Sequence, residues 1–137
     1  MSYVMVGNKM IDSEEILQNI KEQLPFKGIK DITKGAKRDD TLIFQVYHDV
    51  GSLKEFLDVE EMRDLSEEEL IDELMELADE KTSEIEDYIP EGLMTFSYSY
   101  YYDEAENRIK SVFIAVDQEV GELRLRDIAE RVLRSLD

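Results

Sequence analysis

The chain contains no cysteine. Disulfide staples, thiolate nucleophiles and cysteine-bound metals are therefore excluded, and a reducing compartment is permitted. Histidine is almost as scarce. His48 is the only one, and a metal or proton-relay site needs several converging groups where this imidazole has only Asp49 beside it in sequence. No stretch approaches the roughly 18 apolar residues needed to cross a bilayer. The opening "MSYVMVGNKMIDSEE" lacks the basic start and long apolar run of a secretory leader. These absences predict a soluble, cytoplasmic protein without membrane contact.

Glycine is missing where phosphate chemistry would need it. "GIKDITKGAK" has neither the Gly spacing of a phosphate loop nor a Ser or Thr after its lysine. "DEAENRI" and "DQEVGELRLRD" begin like calcium loops. The first has Ala105 at a ligand position, and the second lacks the closing bidentate acid. No cofactor, metal or catalytic residue is predicted. Basic residues are outnumbered, 16 against 34 acids, for a formal net charge of −18. Such a field repels nucleic acid and anionic membranes and attracts basic protein surfaces.

What is present is a foldable chain. At 137 residues with 42 % hydrophobic content, it has enough core for a single domain spanning 1–137. Asp12 with Glu15, Ser52 with Glu55 and Ser66 with Glu69 have capping-box spacing and mark three helix starts. The first helix is predicted over 13–24, the second over 53–62 and a last one over 122–136.

The third helix is predicted over 66–89. From Asp64 to Gly92 the chain carries thirteen carboxylates and one base, Lys81. At helical spacing Leu70, Leu74, Leu77, Ala78 and Ile85 share one side, and the acids fill the other.

"TLIFQVYHDV", "LMTFSYSYYY" and "RIKSVFIAVD" alternate as strands. The last two form a hairpin through "DEAEN", with Asn107 in the left-handed turn position. In the register that keeps the faces clean, Tyr98 opposes Val112, Phe96 opposes Ile114 and Tyr102 opposes Arg108. "SYVMV" offers a fourth strand. The fold class is thus α+β: a small antiparallel sheet of three or four strands, with about four helices packed mainly on one face. The Met94–Phe96–Tyr98 side is the one expected to carry them. The segment from Pro25 to Asp40 shows no period and reads as a mobile loop.

Function is read from the charge. Like charges at i,i+4 cost a few tenths of a kcal/mol each, yet Glu69–Glu73, Asp72–Glu76, Glu76–Glu80 and Glu80–Glu84 repeat without basic relief. An acidic face so maintained predicts a non-enzymatic binding or regulatory protein. Its contact residues would be Glu69, Asp72, Glu73, Glu76, Asp79, Glu80 and Glu84, and its partner a basic protein surface.

One alternative is a nucleic-acid mimic that inhibits a nucleic-acid-binding enzyme, of the anti-restriction or anti-CRISPR kind carried by mobile elements. Another is an enzyme or metal-binding protein whose site is not readable from sequence; it would require a pocket of converging polar groups. Tyr101, Lys34, Lys37 and Arg38 are secondary contact candidates. The basic run from Lys27 to Arg38 is expected to pair with the acidic helix, and the Tyr-bearing hairpin offers an edge for a homodimer.

Overall fold

Nine consecutive residues of one strand, Thr41–Asp49, organise the molecule because both of their faces are apolar. Leu42, Phe44 and Val46 point one way and Ile43 the other, and all four are fully buried. A strand apolar on both sides needs cover on both sides, so the sheet is sandwiched.

The computed structural model describes residues 3–6, 9–36 and 40–136. Two strands, β1 (Tyr3–Val6) and β2 (Lys9–Asp12), pair as a separate hairpin. Then follow α1 (Ser13–Gln23), β3 (Gly28–Asp31), β4 (Thr41–Asp49) and two short helices, α2 (Val50–Lys54) and α3 (Val59–Arg63). The acidic helix α4 (Glu67–Ser83) comes next, continued by a 3-10 segment at Glu84–Tyr88. Strands β5 (Leu93–Asp103) and β6 (Arg108–Asp117) and helix α5 (Glu122–Ser135) complete the order. The main sheet is antiparallel in the order β3-β4-β6-β5. The protein is α+β, and no described helix is long and apolar enough to cross a membrane.

One face gathers Leu42, Phe44 and Val46 with Phe113 and Ala115 of β6 and Ile29 of β3. Ile20 of α1 and Ile85 after α4 close over it. At its far end Val50 and Leu53 of α2 meet Leu74 and Ala78 of α4 above Ile109. The other face, Ile43, Val112, Ile114 and Val116, is covered by Leu125, Ile128, Ala129 and Val132 of α5. Most of the helical cover is thus on one face, as expected, but that face is the opposite one. α5 packs near Met94 and Phe96, while α1, α2 and α4 lie on the Thr95–Ser97–Ser99 side. The serines and threonine hid the buried status of that side in the sequence. Ser99 and Ser111 are buried there as a hydrogen-bonded hydroxyl pair, 2.7 Å apart.

The hairpin register agrees with the sequence at Tyr98–Val112 and Phe96–Ile114, and then shifts by one between Ser99 and Tyr101. This bulge makes Asp103, not Tyr102, oppose Arg108. Asn107 has φ 52°, the left-handed turn conformation.

Two other expectations change. The predicted helix over 53–62 is split, and Asp49, not Ser52, caps its start by accepting from the Ser52 amide. The stretch after Pro25 is not irregular throughout. Gly28–Asp31 pairs with β4 as an edge strand and Thr33–Ala36 is a 3-10 turn. Gly28 lets this strand lie close against Tyr47: a Cβ there would meet the ring at 3.0 Å, and the ring would have to shift. The fourth strand of the main sheet is this one; of "SYVMV", Tyr3–Val6 belongs to the separate hairpin and Ser2 lies outside the described residues.

Candidate functional site

Helix α4 is 17 residues, about 25 Å at 1.5 Å per residue. Ser66 and Glu69 form a reciprocal capping box. Amide Ser66 donates to Glu69 Oε1 and amide Glu69 to Ser66 Oγ, both at 3.1 Å. The Ser66 amide, with its hydroxyl, holds the Glu69 carboxyl below the ordinary glutamate range. The expected continuous helix to residue 89 ends earlier, at Ser83, and tightens to 3-10 geometry over Glu84–Tyr88. Leu74, Ala78 and Thr82 face the strands and are buried, and most of the acids face solvent.

The seven predicted contact acids divide by what they already do. Glu69 is a cap. Asp79 is half-buried and accepts from the backbone amide of Ser99 at 2.5 Å. That amide lies on β5, an edge strand of the sheet, so Asp79 blocks a donor that would otherwise invite another strand. Replacing Asp79 by alanine should cost about 1–2 kcal/mol in urea unfolding, whereas Glu76→Ala should be within about 0.5 kcal/mol of wild type. Glu84 stands 4.0 Å from Lys81 Nζ. The remaining four, Asp72, Glu73, Glu76 and Glu80, are exposed and have no ionic or hydrogen-bonded side-chain partner among the described residues. At helical spacing they occupy an arc of about 100°, one unbroken anionic stripe.

The secondary candidates are scattered. Lys34 is exposed on the turn after β3, while Lys37 and Arg38 lie outside the described residues. The expected pairing of the basic run with α4 is not found among the described residues. Lys27 stands 3.8 Å from Asp49, and Lys30 lies 5.5 Å from the Tyr47 ring centroid. Tyr101 is 48 % exposed, and Tyr98, expected in the core, is 45 % exposed. With Tyr47 and Tyr100 they stand on the α5 side of the sheet beside Arg108 and Lys110. Gln45 links two of them, its Nε2 donating to Tyr100 Oη at 2.6 Å and its Oε1 accepting from Tyr47 Oη at 3.0 Å. The Arg108 guanidinium lies 4.5 Å from the Tyr47 ring and Lys110 Nζ 5.3 Å from that of Tyr101. Alternation within each strand was the signal for Tyr47, Tyr98 and Tyr100; the bulge that turns Tyr101 to the same side was not readable.

A cleft of about 380 Å³ opens at the carboxyl end of α4, where Leu24, Phe26, His48, Phe56, Lys81 and Glu84 converge. His48 is buried, with the Phe26 ring edge-on at 5.2 Å. Its Nε2 is 2.7 Å from Thr82 Oγ1, and the Thr82 hydroxyl donates to the Ala78 carbonyl at 2.7 Å. With the hydroxyl proton given to the Ala78 carbonyl, the imidazole is the donor in the His48–Thr82 contact, through Nε2–H. Burial lowers its pKa from 6.5 to about 4. Asp49, next in the chain, is held below the ordinary aspartate range by the Ser52 amide and hydroxyl, each 3.0 Å from Oδ2, with Lys27 adding to the effect.

This geometry supplies a neutral imidazole, a capping carboxylate and a serine hydroxyl that donates to that carboxylate. It does not place the imidazole on the hydroxyl as a general base would need. Among the described residues no group of three or more Asp, Glu or His side chains is arranged to hold a metal ion.

Comparison with family models, curated proteins and solved structures finds no match to this chain.

The stripe therefore has to be judged on its own physics. Ser66 and Lys81, the partners of Glu69 and Glu84, lie three residues away along the chain, whereas Ser99, the partner of Asp79, comes from β5. The cleft has no sequence signature because its walls come from α1's exit, β4, the α2 turn and α4. The solitary His48 was the one residue that could have drawn attention to it.

Proposed function

We propose that this protein is a non-enzymatic binding protein that docks on a basic protein surface through the α4 stripe. The observation that supports it is the row formed by Asp72, Glu73, Glu76 and Glu80, four exposed carboxylates on adjacent turns without a side-chain partner among the described residues. Their mutual repulsion is a standing cost of a few tenths of a kcal/mol per pair, relieved when a cationic surface arrives. Because the opposite side of the helix is held by Leu74, Ala78 and Thr82, the carboxylates are presented on a rigid rod, which limits the ordering cost of docking. A net charge of −18 adds long-range attraction and raises encounter rate. No cofactor enters this function.

The test is affinity capture from native extract at low and high ionic strength, using wild type and the triple variant Glu73→Lys, Glu76→Lys, Glu80→Lys. The wild type is expected to retain a basic protein whose binding weakens as salt rises. The variant should lose at least about tenfold in affinity for it. Equal capture by both proteins would reduce the stripe to a solvated surface. Duplex DNA added as competitor separates general docking, which it leaves intact, from occupation of a phosphate-binding groove, which it displaces.

A further inference from the structure

The cleft beside α4 has a lining of one chemical sense. Its aromatic walls are Phe26 and Phe56, and Phe56 is 60 % exposed on the turn after α2. Its polar groups are largely acceptors: the carboxylates of Asp49, Glu55 and Glu84, and a neutral His48 whose Nε2 proton is already given to Thr82. Lys81 is the exception. Its ammonium sits 3.9 Å from the Phe56 ring centroid and 4.0 Å from Glu84 Oε1. The chain's own lysine thus marks a position where a cation is held between a π face and a carboxylate.

We propose that the cleft receives an arginine side chain of the partner, whose guanidinium displaces the Lys81 ammonium from the Phe56 ring. This rests on the proposed function in taking the partner to be basic, and it adds the place and the residue type by which that partner is anchored. Guanidinium is planar and weakly hydrated, so it stacks on an aromatic ring at less desolvation cost than an ammonium. Lys81 is compact, strongly hydrated and on a flexible stem, and it returns to water readily. The cleft volume of about 380 Å³ lies toward the lower end of ligand pockets and suits one side chain better than a large ligand. Charge complementarity favours the same occupant, because the anionic stripe of α4 runs toward the cleft and the protein as a whole repels anions.

The experiment is an amide NMR titration of the full chain with the peptide acetyl-Gly-Arg-Gly-amide, and with the same peptide carrying citrulline, which is isosteric and uncharged. Saturable shifts at Phe26, His48 and Phe56 are expected with the arginine peptide, and at least about fivefold weaker binding with citrulline. Phe56→Ala should weaken the arginine peptide by about fivefold or more. Because Phe56 is exposed, this variant is expected to stay folded.

Lys81→Met decides the sign. Removing the internal occupant should tighten the arginine peptide, by about fivefold if the displaced cation–π contact is worth about 1 kcal/mol. Weaker binding in that variant, equal binding of citrulline, or shifts confined to Asp72–Glu80 would each overturn the proposal. So would binding of acetate at Lys81, which would make the cleft an anion site.

The two readings fail separately. If Phe56→Ala and Lys81→Met leave peptide binding unchanged while the triple lysine variant loses its partner, the cleft proposal falls and the stripe stands. If the peptide binds as expected while the triple variant captures normally, the stripe falls and the cleft stands.

Discussion

Phe113→Ala is expected to lower the unfolding free energy by about 3–5 kcal/mol. Phe113 is fully buried on β6, with a neighbouring strand on either side, directly opposite Phe44 in the β4–β6 pairing. Both rings belong to the cluster that joins Ile20 of α1, Ile29 of β3 and Ile85 beyond α4. Truncation would remove apolar contacts to several elements at once. The space cannot be refilled by a simple side-chain shift, because the backbone around it is tied into a ladder on both sides. A domain of this size has about 5–15 kcal/mol in total, so the loss is a large part of the whole.

Urea unfolding at neutral pH checks it, with the midpoint falling and the slope unchanged. Tyr98→Ala is the matched control on the neighbouring strand: at 45 % exposed it should cost about 1 kcal/mol or less. A loss below about 1 kcal/mol for Phe113→Ala would mean that the core is not assembled around the Phe44–Phe113 pair.

The second large effect is in pH. His48 titrates near 6.5 when unfolded and near 4 in the folded protein, because burial disfavours the imidazolium. Below pH 6.5 the unfolded chain takes up a proton that the folded chain refuses. Stability contributed by neutral His48 is therefore complete above about pH 6.5 and is lost as pH falls toward 4, by up to about 3 kcal/mol. The charged groups that share its cleft are Asp49, Glu55, Lys81 and Glu84. Asp49 and Glu69, both held below their ordinary range, contribute stability that is lost in the same direction at lower pH. Relief of repulsion within a −18 chain works the opposite way as the other acids protonate.

A difference measurement isolates the imidazole. Unfolding free energies of wild type and His48→Gln, compared at pH 7.5, 5.5 and 4.5, should converge as the pH drops. Glutamine can still donate to Thr82 and does not titrate. Parallel curves would show that His48 is charged in the folded state or gains no proton on unfolding in this range.

Local features were legible in the sequence wherever one segment carries its own physics. The Ser66–Glu69 box depends on residues three apart and forms as the spacing requires. The apolar side of α4 follows from its period, and the early pairs of the β5–β6 hairpin follow from alternation. The register past Ser99 did not follow, because the bulge at Tyr100 has no mark in a run of similar residues, "SYSYYY". β3 is not legible either, because an edge strand of four residues containing a glycine has too few side chains to show a pattern.

The acidic stripe shows the same division. Its charge and its helical placement are in the sequence, as is the capping role of Glu69. The Lys81–Glu84 pair, three residues apart, is local in the same way. That Asp79 is tied to Ser99, twenty residues on, was not, since partners distant in the chain meet only after folding.

Composition, spacing and period alone determined an α+β protein with no thiol chemistry, a single imidazole and a rod whose two sides differ in kind. Tertiary structure alone decided which side of the sheet that rod covers, and that its Asp79 carboxylate is taken up by the Ser99 amide. It also decided that His48, Phe26, Phe56 and Lys81 meet in one cleft. The reason is physical: period and capping act within a few residues of one element. Burial, desolvation and the convergence of side chains depend on which elements touch, and that is set by fitting all the apolar surfaces together at once.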